Sequence, residues 1–145
     1  MTPEQRRAIE WECTRLINHY ANLNDQGRWE EVAALYAEAG LMTRPTAPDD
    51  PIVGRAALLA SFLARPPRAS RHVCANIVVT VESPTAASAY SVILLFTGKV
   101  DPEGGLPVRD DGPPLVGEYH DRFVLTDEGW RFSERRGTLS FRSVK

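Results

Sequence analysis

The chain has 145 residues, 43% of them apolar, with 17 basic and 19 acidic side chains and a formal net charge of −2. This length predicts one domain over residues 1–145, with enough core to enclose a pocket. The scattered basic residues predict no nucleic-acid partner. The absence of a long apolar run and of a leader pattern predicts no membrane segment and a cytoplasmic location.

Helical patterns fill the first part of the chain. One apolar stripe at helical spacing predicts a helix over residues 3–24, and it consists of Ile9, Cys13, Leu16, Ile17 and Tyr20. A second helix is predicted over 28–38 with a stop at Gly40, and a third over 54–64. Three prolines and two aspartates between residues 43 and 51 predict a loop after a short strand at 41–43.

From Arg71 onward the apolar period changes from 3.6 to 2, which is typical of strands. Strands are predicted over 71–81, 86–99, 115–125 and 130–141, with a long loop over 102–114. Three helices followed by an antiparallel meander predict an α+β fold, with the helices packed on one face of a curved sheet.

Strand alternation indicates which polar groups face inward. His72, Cys74, Asn76 and Val78 share one face, whose polar groups and small side chains suit a lined cavity. His72 is therefore a better functional candidate than His19, beside a helical stripe, or His120, on a charged face. Tyr119, Asp121 and Phe123 share a face of a later strand. Of the adjacent Arg135 and Arg136, only one is expected to point inward unless a bulge intervenes.

The sequence carries few signals for other chemistries. No His-x-His or His-Glu-x-x-His spacing occurs, so no metal site built by the protein is expected. No nucleophile elbow or phosphate-binding glycine loop is present. Cys13 and Cys74 lie in different elements without metal-binding spacing, which predicts two reduced thiols.

Five segments in order resemble one family. They are Tyr20–Gly40, Val53-Gly54-Arg55, Arg71-His72-x-x-x-Asn76, Gly117-x-Tyr119-x-Asp121-x-Phe123 and Gly129-Trp130-Arg131-Phe132-x-x-Arg135. Together they resemble the SnoaL-like group of the nuclear-transport-factor-like superfamily. The resemblance implies a conical α+β barrel, in which a strongly bent, mostly antiparallel sheet wraps three helices around a deep apolar pocket.

One branch of that superfamily contains scytalone dehydratase, the bile-acid dehydratase and the lindane dehydrochlorinase, which perform eliminations without a cofactor through a His-Asp dyad. The resemblance implies that His72 is the base and Asp25 its orienting partner, with Tyr20 and Arg135 as polarising or binding groups. The polyketide cyclases use an acid on a late strand instead, and Asp121 lies in that region.

The expected function is a cofactor-independent lyase, of the dehydratase type, or an isomerase that acts on a small hydrophobic, ring-containing substrate. Asn76 is expected to orient this substrate, with Tyr119 and Asp121 as further contacts. The expected apolar lining comprises Trp29, Tyr36, Leu58, Phe62, Val78 and Phe123.

Several alternatives stay open. Asp25 is equally compatible with a helix cap or turn, Tyr20 with a core position, and Arg135 with an ion pair to Asp121 or Asp25. The whole protein is alternatively a small-molecule binding protein, or a small subunit similar to those of ring-hydroxylating dioxygenases. A curved open sheet of this kind also predicts a homodimer or homotrimer.

Overall fold

The structure is a computed structural model that describes residues 1–142. Its helices are α1 (Pro3–Asp25), α2 (Trp29–Ala34) and α3 (Arg55–Leu63). Its strands are β1 (Tyr36–Arg44), β2 (Ala47–Val53), β3 (Ala69–Ser83), β4 (Ala86–Lys99), β5 (Val108–Arg109), β6 (Leu115–Thr126) and β7 (Gly129–Leu139).

Helix α1 begins where the sequence places it. The Thr2 side chain accepts a hydrogen bond from the backbone N–H of Gln5, whose side chain accepts one from the backbone N–H of Thr2. This capping box and the proline at the first turn fix the start of the helix. The predicted apolar stripe is buried, and it packs α1 against β3 inside the sheet.

The strands form one curved, unclosed sheet in the order β2-β1-β7-β6-β4-β3. The short strand β5 lies within the segment 102–114 that was predicted as a loop, and it pairs with β4. All neighbours are antiparallel except β1 and β7, which are parallel. The core lies between the concave face of this sheet and the helices. The α+β prediction, with three helices against a curved and mostly antiparallel sheet, is confirmed.

The prediction that the second helix runs to residue 38 is wrong. Helix α2 ends at Ala34, and the chain enters β1 at Tyr36, which pairs with Phe132 of β7. The backbone N–H of Phe132 donates a hydrogen bond to the carbonyl of Leu35 at 2.9 Å. This long-range pairing outweighs the local helical pattern, because tertiary contacts override weak propensities.

The predicted loop over residues 43–51 is instead a hairpin. Strand β1 continues to Arg44, turns at Pro45 and returns as β2. Because β2 is an edge strand, it tolerates the proline at position 51. The turn lies against β7 at Gly137, where a Cβ would come within 2.6 Å of Pro45.

A bulge in β3 corrects the alternation expected for that strand. Its register against β4 shifts between Ala75 and Val78, and Asn76 has a φ of 54°. His72 points inward as predicted, but Asn76 and Val78 are exposed, while Ile77 turns inward. The predictions that Asn76 orients substrate and that Val78 lines the pocket are therefore wrong.

A second bulge brings Arg135 into the core. Arg122 pairs with Glu134 and Phe123 with Phe132, so Ser133 is left without a partner on β6. The extra residue reverses the alternation, which places both Phe132 and Arg135 on the inner face. Arg136 points outward, with 47% of its side chain exposed.

Inside the sheet Arg135 forms an ion pair with Asp121. Its Nε lies 3.2 Å from Oδ1 of the carboxylate, and both side chains are at most 1% exposed. Burial raises the pKa of Asp121 to about 6, although Arg135 opposes the rise. Burial also works against charge on Arg135, but the attraction of Asp121 outweighs it and raises the pKa of the guanidinium.

Arg135→Met should lower the free energy of unfolding by about 3–5 kcal/mol, because it leaves a buried carboxylate without its partner. Urea denaturation measures this loss. Arg136→Met is the matched control and should change stability by less than about 1 kcal/mol, since that arginine is exposed. The double variant Asp121→Leu/Arg135→Met should recover part of the loss. Equal losses of stability in Arg135→Met and Arg136→Met would contradict a role for the ion pair in stability.

Candidate active site

A cavity of about 390 Å³ opens between the end of α1, the β1–β2 hairpin and the inner face of the sheet. Its lining residues are Tyr20, Asn24, Met42, Thr43, Arg44, Pro45, Thr46, Arg65, Pro66, Arg68, His72, Ile93, Leu95, Leu115 and Tyr119. Its size matches the lower end of the range for pockets that hold small molecules.

His72 lies in the wall of this cavity, hydrogen-bonded to Asp25. Its Nδ1 is 2.5 Å from Oδ1 of Asp25, and its backbone N–H donates to Oδ2 at 2.7 Å. The Ser70 hydroxyl donates to Oδ1 at 2.9 Å. The side chains of His72 and Asp25 are only 10% and 5% exposed. With Nδ1 occupied by Asp25, Nε2 is the ring nitrogen left to meet a ligand.

These contacts keep Asp25 ionised. Burial alone would raise the pKa of its carboxyl, but the hydrogen bonds from His72, the charge interaction with it and the Ser70 hydroxyl together hold the pKa below its usual value. An ionised Asp25 accepts a hydrogen bond from Nδ1–H of His72 and stabilises a positive charge on the imidazole ring. The pair therefore has the electrostatics of a general base and its orienting carboxylate.

Two tyrosines contribute to the cavity wall. The Tyr20 hydroxyl is 2.9 Å from that of Tyr36 and 3.6 Å from Sδ of Met42. Burial raises the pKa of Tyr20, and it raises the pKa of Tyr119 to about 12 despite the opposing charge of Arg135. Both phenols are therefore protonated at neutral pH and able to donate hydrogen bonds.

Arg135 lies behind these tyrosines rather than in the lining of the cavity. The guanidinium carbon is 3.9 Å from the ring centroid of Tyr119 and 4.4 Å from that of Tyr20. Arg135 also forms the ion pair with Asp121 described above, which is one of the roles that the sequence left open for it. Through its contacts with the two rings, the arginine supports their positions by packing and cation–π attraction.

The remaining residues of the predicted lining lie mostly in the core. Tyr36, Leu58, Phe62 and Phe123 are each at most 2% exposed and belong to the main apolar cluster, outside the cavity lining. Trp29 stacks on Phe62 with ring centroids 5.8 Å apart and borders a separate groove beside Asp25.

Sequence reasoning missed the polar part of the lining. Asn24 and Thr43 are buried, and three arginines, Arg44, Arg65 and Arg68, also line the cavity. Two of the arginines flank the Pro66-Pro67 segment after α3, and the third, Arg44, ends β1 at a position where a loop was predicted. An excess of arginine over lysine was the available signal, but the residues are far apart in the sequence.

The described residues contain neither a metal-binding cluster nor a membrane-spanning helix. Within residues 1–142 no group of three or more His, Cys, Asp or Glu side chains is placed to hold a metal ion. None of the three helices described has the length and apolarity needed to span a membrane.

Solved structures with the same fold come from several bacteria. A candidate scytalone dehydratase of Novosphingobium aromaticivorans has 22% identity and a TM-score of 0.79, over 99% of this chain and 94% of that one. An NTF2-like protein with a cystatin-like fold from the same organism has 25% identity and a TM-score of 0.71, over 97% and 85%. A Catenulispora acidiphila protein in complex with S-DNPA has 22% identity and a TM-score of 0.69, over 92% and 94%.

No curated protein matches the sequence. The SnoaL-like domain family, in contrast, matches residues 5–136, from the first turn of α1 to the bulged segment of β7. The matched range contains Asp25, His72 and every other residue that lines the cavity. The protein therefore belongs to the SnoaL-like domain family, with the NTF2-like fold.

Proposed function

We propose that the protein is a cofactor-independent lyase or isomerase whose reaction begins with proton abstraction from carbon by His72. The observation that carries this proposal is the Asp25–His72 hydrogen bond in the wall of a cavity. A neutral imidazole has a reference pKa of about 6.5, which suits a base that works near neutral pH.

In the proposed reaction, Nε2 of His72 removes a proton from a carbon next to an electron-withdrawing group. In an elimination, the electron pair of the broken C–H bond forms a C=C bond as a leaving group departs with its bonding electrons from the adjacent carbon. In an isomerisation, the carbanion is instead reprotonated at a different carbon by the imidazolium. Nδ1 keeps its hydrogen bond to Asp25, whose negative charge stabilises the imidazolium. Bound this way, the base needs little reorganisation.

Tyr119 is the better placed of the two tyrosines to donate a hydrogen bond to a leaving oxygen or an enolate. Within residues 1–142 its hydroxyl makes no hydrogen bond to another group, whereas the Tyr20 hydroxyl is already 2.9 Å from that of Tyr36. A donor aimed at developing negative charge in a dry site stabilises the transition state. Tyr20 and Arg135 are assigned positioning roles, and Arg135 holds both rings from behind.

The contacts of Asp25 argue against a helix-cap role. Helix α1 is capped at Gln26 by backbone hydrogen bonds, while the Asp25 carboxylate accepts its hydrogen bonds from Ser70 and His72 of β3. The neighbour that carries the scytalone dehydratase name is consistent with elimination chemistry.

A second candidate is a small-molecule binding protein without catalysis. The neighbour in complex with S-DNPA favours it, because a fold of this kind there holds a small ligand. The two candidates differ in one property. A binding protein takes up ligands with or without the His72 ring, whereas the proposed enzyme loses turnover when that ring is removed.

Nitrobenzisoxazole is a suitable probe for the proposed base, since it is a small apolar ring that opens when one C–H proton is removed. The wild-type protein should accelerate this opening, and His72→Asn should lower the rate by about 10²–10⁴-fold. Formation of the phenolate product is measured by absorbance. His120→Asn is the matched control, because His120 is 58% exposed on the outer face.

Circular dichroism should show that both histidine variants are folded. A rate for His72→Asn equal to that of the wild type would overturn the proposed function. A wild-type protein that binds the probe without accelerating its opening would instead support the binding protein.

Asp25 should also affect stability in a pH-dependent way. The pKa of Asp25 is lower in the folded state than the usual 3.8, so its ionised form stabilises the folded protein. This contribution to the free energy of unfolding is complete above the unfolded-state pKa and is lost as pH falls through the folded-state pKa. Asp25→Asn should therefore be less stable than the wild type near neutral pH, and the gap should narrow below about pH 4. Urea denaturation from about pH 7 to about pH 3 measures it. A gap that is constant over this range would contradict the stabilised carboxylate.

A further inference from the structure

We propose that Arg44, Arg65 and Arg68 form a binding site for an anionic group of the ligand, next to the apolar part of the cavity. The inference rests on the proposed function in that it assigns the substrate class for the same cavity. The site would take a ring-containing molecule that carries a carboxylate, phosphate or sulfonate.

The lining of the cavity carries positive charge. All three arginines line the cavity, and its lining residues include no aspartate or glutamate. Asp25 borders an adjoining groove with Arg65 and Arg68 and is engaged by Ser70 and His72. Asp110 and Asp111 border a second groove with Arg68, outside the cavity lining. The cavity therefore presents positive charge to its contents.

The positive charge of the cavity is uncompensated by any nearby carboxylate. Among residues 1–142 no carboxylate oxygen lies within 4 Å of a guanidinium nitrogen of Arg44, Arg65 or Arg68. The Nε of Arg44 is buried without a hydrogen-bond partner. Burial lowers the pKa of Arg65; Tyr20 opposes this change, and the charges of Arg44 and Arg68 add to it. A bound anion would relieve both the repulsion and the unmet hydrogen bonds.

Several other arginines of the described chain do have carboxylate partners. Where the fold buries a guanidinium for structural reasons, at Arg135, it supplies the Asp121 carboxylate at 3.2 Å. The exposed Arg28 and the half-buried Arg55 likewise have glutamate partners at 2.6 and 2.9 Å. The three cavity arginines have no such partner among residues 1–142.

Neighbouring rings and prolines organise the site before a ligand binds. The guanidinium carbon of Arg65 lies 4.8 Å from the ring centroid of Phe62 and 5.4 Å from that of Trp29. Stacking over these rings restricts the side chain while its N–H edge stays available. The following Pro66 and Pro67 restrict the backbone between Arg65 and Arg68.

The apolar part of the cavity completes the ligand description. Ile93, Leu95 and Leu115 line it together with the Tyr119 ring. A guanidinium binds planar or tetrahedral oxyanions through paired N–H donors, so the charged end of the ligand belongs at the arginines. This inference adds an anionic group to the small hydrophobic, ring-containing substrate that is expected from the sequence.

A pair of fluorescent probes tests this inference without knowledge of the substrate. Anilinonaphthalene sulfonate carries an apolar ring system with a sulfonate, and N-phenylnaphthylamine has the same rings without the charge. The wild-type protein should bind the sulfonate at least tenfold more tightly than the neutral probe. Arg44→Gln/Arg65→Gln should weaken sulfonate binding at least tenfold and change the neutral probe less than twofold.

Arg71→Gln is the matched control, since Arg71 is exposed on β3 beside His72 and outside the cavity lining. It should leave both affinities unchanged. A wild-type protein without preference for the sulfonate, or equal weakening of both probes in the double variant, would overturn the inference. His72→Asn should keep the sulfonate preference, so a failure of the proposed base and a failure of the anion site give different results.

Discussion

The site depends on the hydrogen bonds of the Asp25 carboxylate. Asp25 is the last residue of α1, and its carboxylate accepts hydrogen bonds from the Ser70 hydroxyl and from both the backbone and the ring of His72. One side chain thereby joins the longest helix to the long strand β3 and fixes the imidazole. The cavity lies beyond this contact, toward the β1–β2 hairpin.

Two buried carboxylates occupy different environments in the same fold. Asp25 accepts hydrogen bonds that outweigh its burial, and its pKa is lowered. Asp121 is almost fully buried beside Arg135, and burial raises its pKa to about 6. The first carboxylate acts on the cavity through His72, whereas the second balances the charge that supports Tyr20 and Tyr119 from behind. The division separates the proposed chemistry from the packing of the core.

Much of the architecture was predictable because the periodic patterns are strong. The stripe that includes Cys13 and Tyr20 gave the first helix, and alternation placed Asp121 and Phe123 on the inner face. Alternation failed at the bulges, where one extra residue exposes Asn76 and turns Arg135 inward, and no local signal marks either bulge. The cavity arginines were missed because they converge only in the folded chain.

We propose that Asp25 holds His72 with its proton on Nδ1, which leaves Nε2 as the base. Nitrogen NMR of labelled protein measures this tautomer directly and needs no substrate. We expect a protonated Nδ1, an unprotonated Nε2 at slightly alkaline pH, and loss of this state in Asp25→Asn. A neutral His72 protonated on Nε2, or a tautomer unaffected by Asp25→Asn, would contradict it.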